Sequence, residues 1–364
     1  CRKKTDYLRE LNRSLGRSTM GLAWKNRFLE SRDAVMLQFE EMAGILGEFS
    51  GQMEQAEDVT ETLLPAVRMT FRKHRVVLED LLVLKYGDGH REAFLTARTG
   101  NGRCVTVKDA AALFGQAVGS AFVPARNGKT LITRNSSMVR LIEKGSYRLL
   151  IGSAKTPKEG EEISGDNYMF RDTLPGQVAL SLSDGMGSGP AAGADSERVM
   201  ELAEQLLDTG FSARSTLKLI NTVLLLNGMG DRPATMDLGL VNLYTGVLEM
   251  MKLGAAASFL LPDRRGGGEA EILESETVPA GVLNPVEPVM ISRKLWDGDK
   301  IIMVSDGVLE AMPGVEKERA FREFLDGLPD AGAQETAELI LTFALSFEGE
   351  PRDDMTVLVG GIYG

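Results

Sequence analysis

From about residue 145 to the C-terminus, short apolar segments of strand length alternate with longer segments of helical periodicity. Two strand-length segments, 237–243 and 247–252, flank a Gly-containing turn, as in a β-hairpin. Two helical segments, 188–209 and 212–226, follow each other with no strand between them. Strands linked by hairpins and interrupted by helix pairs predict antiparallel sheets sandwiched between helices.

The N-terminal part has a different periodicity. From residue 35 the apolar positions are spaced by 4, 3, 4, 3 and 4 residues, which is typical of a coiled-coil seam. The seam residues are Val35, Phe39, Met42, Leu46, Phe49 and Met53. This seam predicts either a helix packed on its own domain, or a dimer or signalling helix. Between the seam and the C-terminal part, residues 60–142 predict a small α/β unit that includes a β-hairpin.

These patterns divide the chain into three predicted parts. Residues 1–58 are a long, coiled-coil-like helical segment, 59–143 a small α/β regulatory region, and 144–364 the domain of sheets and helices. The fold class is α+β, with an N-terminal helical and α/β region ahead of a sandwich.

Composition excludes several classes of protein. The net charge of −11 argues against a general nucleic-acid binder. The chain has two cysteines, Cys1 and Cys104, which fits a reducing compartment and excludes a disulfide framework. No apolar run reaches the roughly 18 residues that a membrane span needs. Because the chain begins with Cys1 rather than Met, we expect a fragment whose membrane anchor, if it has one, lies upstream.

The candidate chemistry rests on carboxylates. Asp166, Asp184, Asp306 and Asp353 each lie in a short turn beside an apolar strand. Carboxylates at strand ends suit Mg²⁺ or Mn²⁺, which take oxygen ligands, and the Gly185 carbonyl could add a further ligand. One Asp in such a turn is ordinary turn chemistry. The chain has only two histidines, and neither shares a zinc-site spacing with a cysteine.

Two phosphate-binding alternatives are weaker. Gly187-x-Gly189-x-x-Ala192 follows a strand and opens a helix, as in a dinucleotide-binding fingerprint. However, Asp184 would place negative charge beside the pyrophosphate, and a second helix follows where a βαβ unit needs a strand. The segment 123–130 lacks the first glycine of a P-loop and predicts a loop before a strand.

Seven short motifs occur in an order that resembles the metal-dependent (PPM) serine/threonine protein phosphatases, and more closely their stage II sporulation protein E branch. The motifs are Ser-Gly-Asp166, Ser-Asp184-Gly-Met-Gly-Ser-Gly, Asp237-Leu, Lys252-Leu-Gly-Ala, Asp297-Gly-Asp, Ser-Asp306-Gly-Val and Asp353-Asp-Met-Thr. The resemblance covers residues 145–364, and the helical segment 34–53 is similar to the branch's regulatory segment.

The resemblance implies an α-β-β-α sandwich with two Mn²⁺ or Mg²⁺ ions at one end. It makes Asp166, Asp184, Asp306 and Asp353 both the catalytic residues and the metal ligands, with Gly185 as a backbone ligand. A metal-bridged water would then hydrolyse the phosphoserine of an anti-anti-sigma factor and so control sporulation sigma-factor activation. It also implies the cytoplasmic part of a membrane-anchored protein.

The resemblance leaves two features open. No His lies within 145–364 to serve as general acid, and no Arg can be matched to phosphate binding. The role of Asp354, where many relatives have Asn, is also open. An alternative function is a catalytically weak phosphatase-fold scaffold that presents a dimerising N-terminal module to a partner.

Overall fold

The computed structural model describes residues 55–100, 104–125, 128–185, 187–226, 233–274, 277–283, 286–348 and 350–364, together with helical positions scattered between 32 and 51. The described seam positions belong to that helical part, and their side chains are exposed: Val35 by 51%, Phe39 by 66%, Met42 by 46% and Leu46 by 68%. The last two seam residues, Phe49 and Met53, lie outside the described residues.

The first sheet has five strands in the order β1-β2-β3-β7-β5. Its strands are β1 (Glu57–Asp58), β2 (Val76–Lys85), β3 (Arg91–Thr99), β5 (Phe122–Pro124) and β7 (Ser137–Glu143), and a separate pair joins β4 (Val105–Thr106) to β6 (Leu131–Ile132). The helices α1 (Thr60–Lys73) and α2 (Val107–Val118) bury Phe71 and Phe114 against this sheet. Thr106 caps α2 by accepting a 3.1 Å hydrogen bond from the Asp109 N–H.

Two further five-stranded antiparallel sheets follow, in the orders β15-β12-β11-β10-β9 and β14-β13-β16-β17-β8. One of them, the β10 sheet, contains β9 (Asn167–Asp172), β10 (Gln177–Ser183), β11 (Met236–Asn242), β12 (Val247–Leu253) and β15 (Val289–Lys294). The other, the β17 sheet, contains β8 (Arg148–Thr156), β13 (Ser258–Leu261), β14 (Glu271–Leu273), β16 (Lys300–Val304) and β17 (Met355–Tyr363).

Helices cover the outer face of each of these sheets. The helices are α3 (Gly189–Asp208) and α4 (Ala213–Leu226) on one side, and α5 (Asp306–Glu310), α6 (Lys317–Gly327) and α7 (Ala333–Glu348) on the other, with a 3₁₀ turn at Arg264–Gly266. Leu180, Met250 and Met303 belong to the core between the sheets, and Leu217 and Phe321 to the two sheet–helix cores. The four layers form an α-β-β-α sandwich, which confirms the predicted fold class.

The structure differs from the sequence reading in two places that matter for the site. Strand β9 was not predicted, because its six residues are mostly polar or exposed and show no clean alternation. Asp306, expected in a turn, is the first residue of α5. None of the helices in the described part of the chain combines the length and hydropathy that a bilayer crossing requires.

Candidate metal centre

The strand register brings the first two candidate aspartates together. Ser183, the last residue of β10, pairs with Asn167, the first residue of β9. Asp184 and Asp166 are the next residues beyond that pair, so they lie side by side where the two strands end. Asp166 is fully buried, and its N–H donates a 3.2 Å hydrogen bond to the Ser164 hydroxyl.

The sheet that contains β16 and β17 supplies the other two aspartates. Strands β16 and β17 pair antiparallel, so the end of β16, which precedes Asp306, lies beside the start of β17, which follows Asp353. The Ser305 N–H donates to the Thr356 carbonyl at 3.0 Å, and the Ser305 hydroxyl accepts from the Thr356 N–H at 2.9 Å. These bonds hold the two strand ends next to each other.

Three of the four aspartates have raised pKa values. Burial, and after it the charge of the nearby carboxylates, raises the pKa of Asp184 to about 9. Burial also raises the pKa of Asp166 to about 6, against the opposing effect of nearby hydroxyls. The Asp306 pKa is raised by burial and then by the charge of Asp353. Like charges brought together in a partly buried site favour a cation among them.

The carboxylate of Asp166 supports the same interpretation. Both of its oxygens are buried, and neither has a hydrogen-bond partner in the described part of the chain. Unpaired buried carboxylate oxygens are costly unless a cation or donor satisfies them. Within the residues that the structure describes, however, no three Asp, Glu, His or Cys side chains form a ready-made ligand set for one ion. The four carboxyl groups therefore lie near one another, but they do not surround a single position that an ion could occupy.

The glycine turn after Asp184 is shaped by close packing and by its backbone. A Cβ at Gly185 would lie 3.1 Å from the Gly165 carbonyl oxygen, so the two loops that carry Asp184 and Asp166 approach closely here. Gly187 and Gly189 have φ values of 92° and 81°, in the left-handed region that favours glycine. The Asp184 carbonyl accepts a 3.1 Å hydrogen bond from the Thr235 N–H.

This site is also contacted by two residues, Lys155 and Asp354, to which the sequence assigned no role. The ammonium of Lys155 donates a short hydrogen bond to the backbone carbonyl of Asp166. The Asp354 carboxylate accepts hydrogen bonds from the N–H groups of Lys158 at 2.8 Å and Gly165 at 2.7 Å. No spacing rule could find these contacts, because each joins segments from different parts of the sandwich.

A cavity of about 40 Å³ lies beside two of the carboxylates. Its lining residues are Leu182, Asp184, Thr235, Asp237, Gly254, Ala255, Ala256, Val304, Ser305 and Asp306. Strands from both sheets therefore meet around it, and it adjoins two of the candidate ligands.

Comparison with known proteins agrees with this architecture. The chain is 31% identical over 216 residues, 59% of its length, to stage II sporulation protein E of Bacillus subtilis (strain 168), and covers 26% of that protein. It is 25% identical over 337 residues, 92% of its length, to stage II sporulation protein E of Priestia megaterium, and covers 57% of that protein. The chain thus spans about a quarter of one curated relative and just over half of the other.

A solved structure shows the same fold. It is described as the PP2C phosphatase domain and a fragment of the regulatory domain of the cell fate determinant SpoIIE from Bacillus subtilis. The TM-score is 0.61 at 23% identity, over 93% of this chain and 98% of the other. The family model for stage II sporulation protein E (SpoIIE) matches residues 175–362. The chain therefore belongs to the stage II sporulation protein E family.

Proposed function

We propose that this chain is a metal-dependent protein-serine/threonine phosphatase. The observation that carries the proposal is the meeting of Asp166, Asp184, Asp306 and Asp353 at adjoining strand ends of the two sheets. Burial, followed by the charge of neighbouring carboxylates, raises the pKa values of Asp166, Asp184 and Asp306. Phosphoryl transfer depends on positioning and electrostatic stabilisation, so clustered metal-binding carboxylates suit it without a protein nucleophile.

The oxygen donors present suit Mn²⁺ or Mg²⁺, of which we propose two ions. The four aspartates, with the Gly185 carbonyl, would hold them, since these are oxygen donors of the type that such cations prefer. Such ions would satisfy the carboxylate oxygens of Asp166, which have no hydrogen-bond partner in the described part of the chain. When bound, the ions supply positive charge for the phosphoryl group and lower the pKa of water.

The chain's own residues set the shape of this site. Asp354 ties the segment before Asp166 to the start of β17 through its two backbone hydrogen bonds. Lys155 holds the Asp166 backbone through its carbonyl oxygen. Ser305 fixes the end of β16 against β17. Together these contacts position candidate ligands that come from three separate parts of the sequence.

The substrate that we propose is a phosphoserine of a bacterial anti-anti-sigma factor, whose dephosphorylation controls a sporulation sigma factor. Family membership and the motif order support this choice. The solved relative is described as a cell fate determinant, which is consistent with such a role. We further propose that the protein acts in the cytoplasm, attached to the membrane only through a segment upstream of these residues.

We also propose that the chain pairs with a second copy through its N-terminal seam. Val35, Phe39, Met42 and Leu46 share one heptad pattern and are all exposed in the single chain. A second copy offers a matching seam, and knobs-into-holes packing between the two would bury these side chains.

A phosphatase assay tests the proposed activity. The full chain is incubated with a generic phosphomonoester and with a phosphoserine protein, with Mn²⁺ and then with a chelator. We expect phosphate release only with the metal. A folded chain that binds Mn²⁺ and leaves both substrates intact would favour the scaffold alternative.

A further inference from the structure

A buried charge network lies behind the candidate metal centre. Asp237 on β11 pairs in register with Lys252 on β12, and the two are 2% and 0% exposed. The Lys252 ammonium donates to Asp237 Oδ2 and, at 2.8 Å, to the Ser258 hydroxyl, which in turn donates to the same Oδ2. Two of the seven sequence motifs contain this pair, and the proposed hydrolysis gives it no role.

One atom of the network has no hydrogen-bond partner among the residues that the structure describes. Oδ2 of Asp237 accepts two hydrogen bonds, whereas Oδ1 is buried and has none in the described part of the chain. Asp237 also lines the cavity that Asp184 and Asp306 line. A buried acceptor at a cavity wall favours a donor inside the cavity.

The cavity suits water. Its volume of about 40 Å³ exceeds the roughly 10–15 Å³ that one water needs, and its wall is polar enough to hold one. Because a carboxylate only accepts hydrogen bonds, a water there would donate one proton to Asp237 and the other to Asp184 or Asp306. The Lys252 charge balances that of Asp237, so the network adds an acceptor without adding net charge to an acidic site.

We propose that Asp237, Lys252 and Ser258 form a positioning network which, through water in this cavity, orients Asp184 and Asp306 for metal binding. The proposal rests on the proposed function, since it assumes that these aspartates hold the ions. Asp237 and Lys252 act through the ligands and do not touch the substrate. Groups that orient metal ligands typically change metal affinity about 10- to 100-fold when they are removed.

The test removes both charges together. Replacing a buried ion pair by apolar residues of similar volume often leaves stability unchanged or raised, so Asp237→Val with Lys252→Met is made in the full chain. Mn²⁺ binding is measured by calorimetry and the thermal midpoint is measured without metal. We expect the Mn²⁺ dissociation constant to rise at least about tenfold with no fall in the midpoint. If the pair is merely structural, the folded double variant will bind Mn²⁺ as tightly as the wild-type chain does, whatever the change in the midpoint.

A second variant and a control complete the test. Ser258→Ala removes one hydroxyl from the network, and we expect a smaller rise in the dissociation constant. The control is Glu92→Gln with Arg140→Met, which removes a 2.6 Å ion pair from the first sheet and should leave Mn²⁺ affinity unchanged.

The possible outcomes separate the two proposals. If the folded double variant binds Mn²⁺ with wild-type affinity, the positioning network is overturned. If the double variant does not fold, wild-type Mn²⁺ affinity in Ser258→Ala overturns the network instead. A wild-type chain that binds no Mn²⁺ overturns the proposed metal-dependent function and the network with it.

Discussion

Asp354 accepts a 2.7 Å hydrogen bond through Oδ2 from the backbone N–H of Gly165, 189 residues earlier in the chain. Its other oxygen accepts a 2.8 Å bond from the Lys158 N–H. Asp354 is 3% exposed, so these bonds form in a largely dry environment. They fix the segment that leads into Asp166 against the start of β17, where Asp353 lies. The role that the sequence left open is therefore that of a clamp between two ligand-bearing segments.

Removing this clamp should weaken both the fold and the site. In Asp354→Ala two backbone donors lose their acceptor, at about 1–3 kcal/mol each, so we expect the free energy of unfolding to fall by about 2–6 kcal/mol. Urea denaturation measures this change, and Mn²⁺ affinity should fall with it because the Asp166 segment loosens. The exposed Asp330→Ala is the control and should stay within about 0.5 kcal/mol of wild type. Unchanged stability in Asp354→Ala would show that the clamp contributes nothing.

Replacing a candidate ligand should have opposite effects on activity and on stability. Asp184→Asn or Asp306→Asn removes one of several carboxylates that repel each other in a partly buried site, so the metal-free thermal midpoint should rise. The same change removes a charge that neutralises the ions, and turnover should fall by about 10²–10³-fold, or several kcal/mol of transition-state stabilisation. Wild-type Mn²⁺-dependent turnover in either folded variant would exclude that residue from the site.

The N-terminal seam should govern self-association. Phe39→Asp with Leu46→Asp places two charges on the seam, where burial against a second copy would desolvate them. We expect sedimentation to shift from dimer to monomer. Met36→Asp with Ala43→Asp has the same spacing off the seam and should leave the mass unchanged. If the seam variant changes neither mass nor turnover, the segment is a passive tether.

An aromatic stack joins the first sheet to the sandwich. The His90 ring stacks between Tyr86 and Tyr244, at centroid distances of 4.6 Å and 4.5 Å, and the Tyr244 hydroxyl donates a 2.9 Å bond to the Glu143 carbonyl. Tyr244→Ala removes both contacts and should increase hydrogen exchange in β2 and β3. Tyr244→Phe keeps the stack and should give a smaller increase. Equal exchange in wild type and Tyr244→Ala would show that the stack does not hold the two parts together.

The sequence predicted the α-β-β-α layers because hairpin turns and paired helices leave strong local signals. It also predicted that Asp184 follows a strand, which the end of β10 at Ser183 confirms. It could not predict the buried contact of Asp237 with Lys252, because that contact depends on strand register. For the same reason it could not find the Asp354 clamp, whose partners are fixed only when the layers assemble. The assignment of the four aspartates as ligands stays a prediction.

The most direct test of the central claim is phosphate release from a phosphoserine anti-anti-sigma factor by the full chain, measured with Mn²⁺, with a chelator, and with Asp306→Asn in parallel. We predict release by the wild-type chain with Mn²⁺, none with the chelator, and a loss of about 10²-fold or more in the folded variant. Release that persists in the chelator, or that Asp306→Asn leaves unchanged, would contradict it.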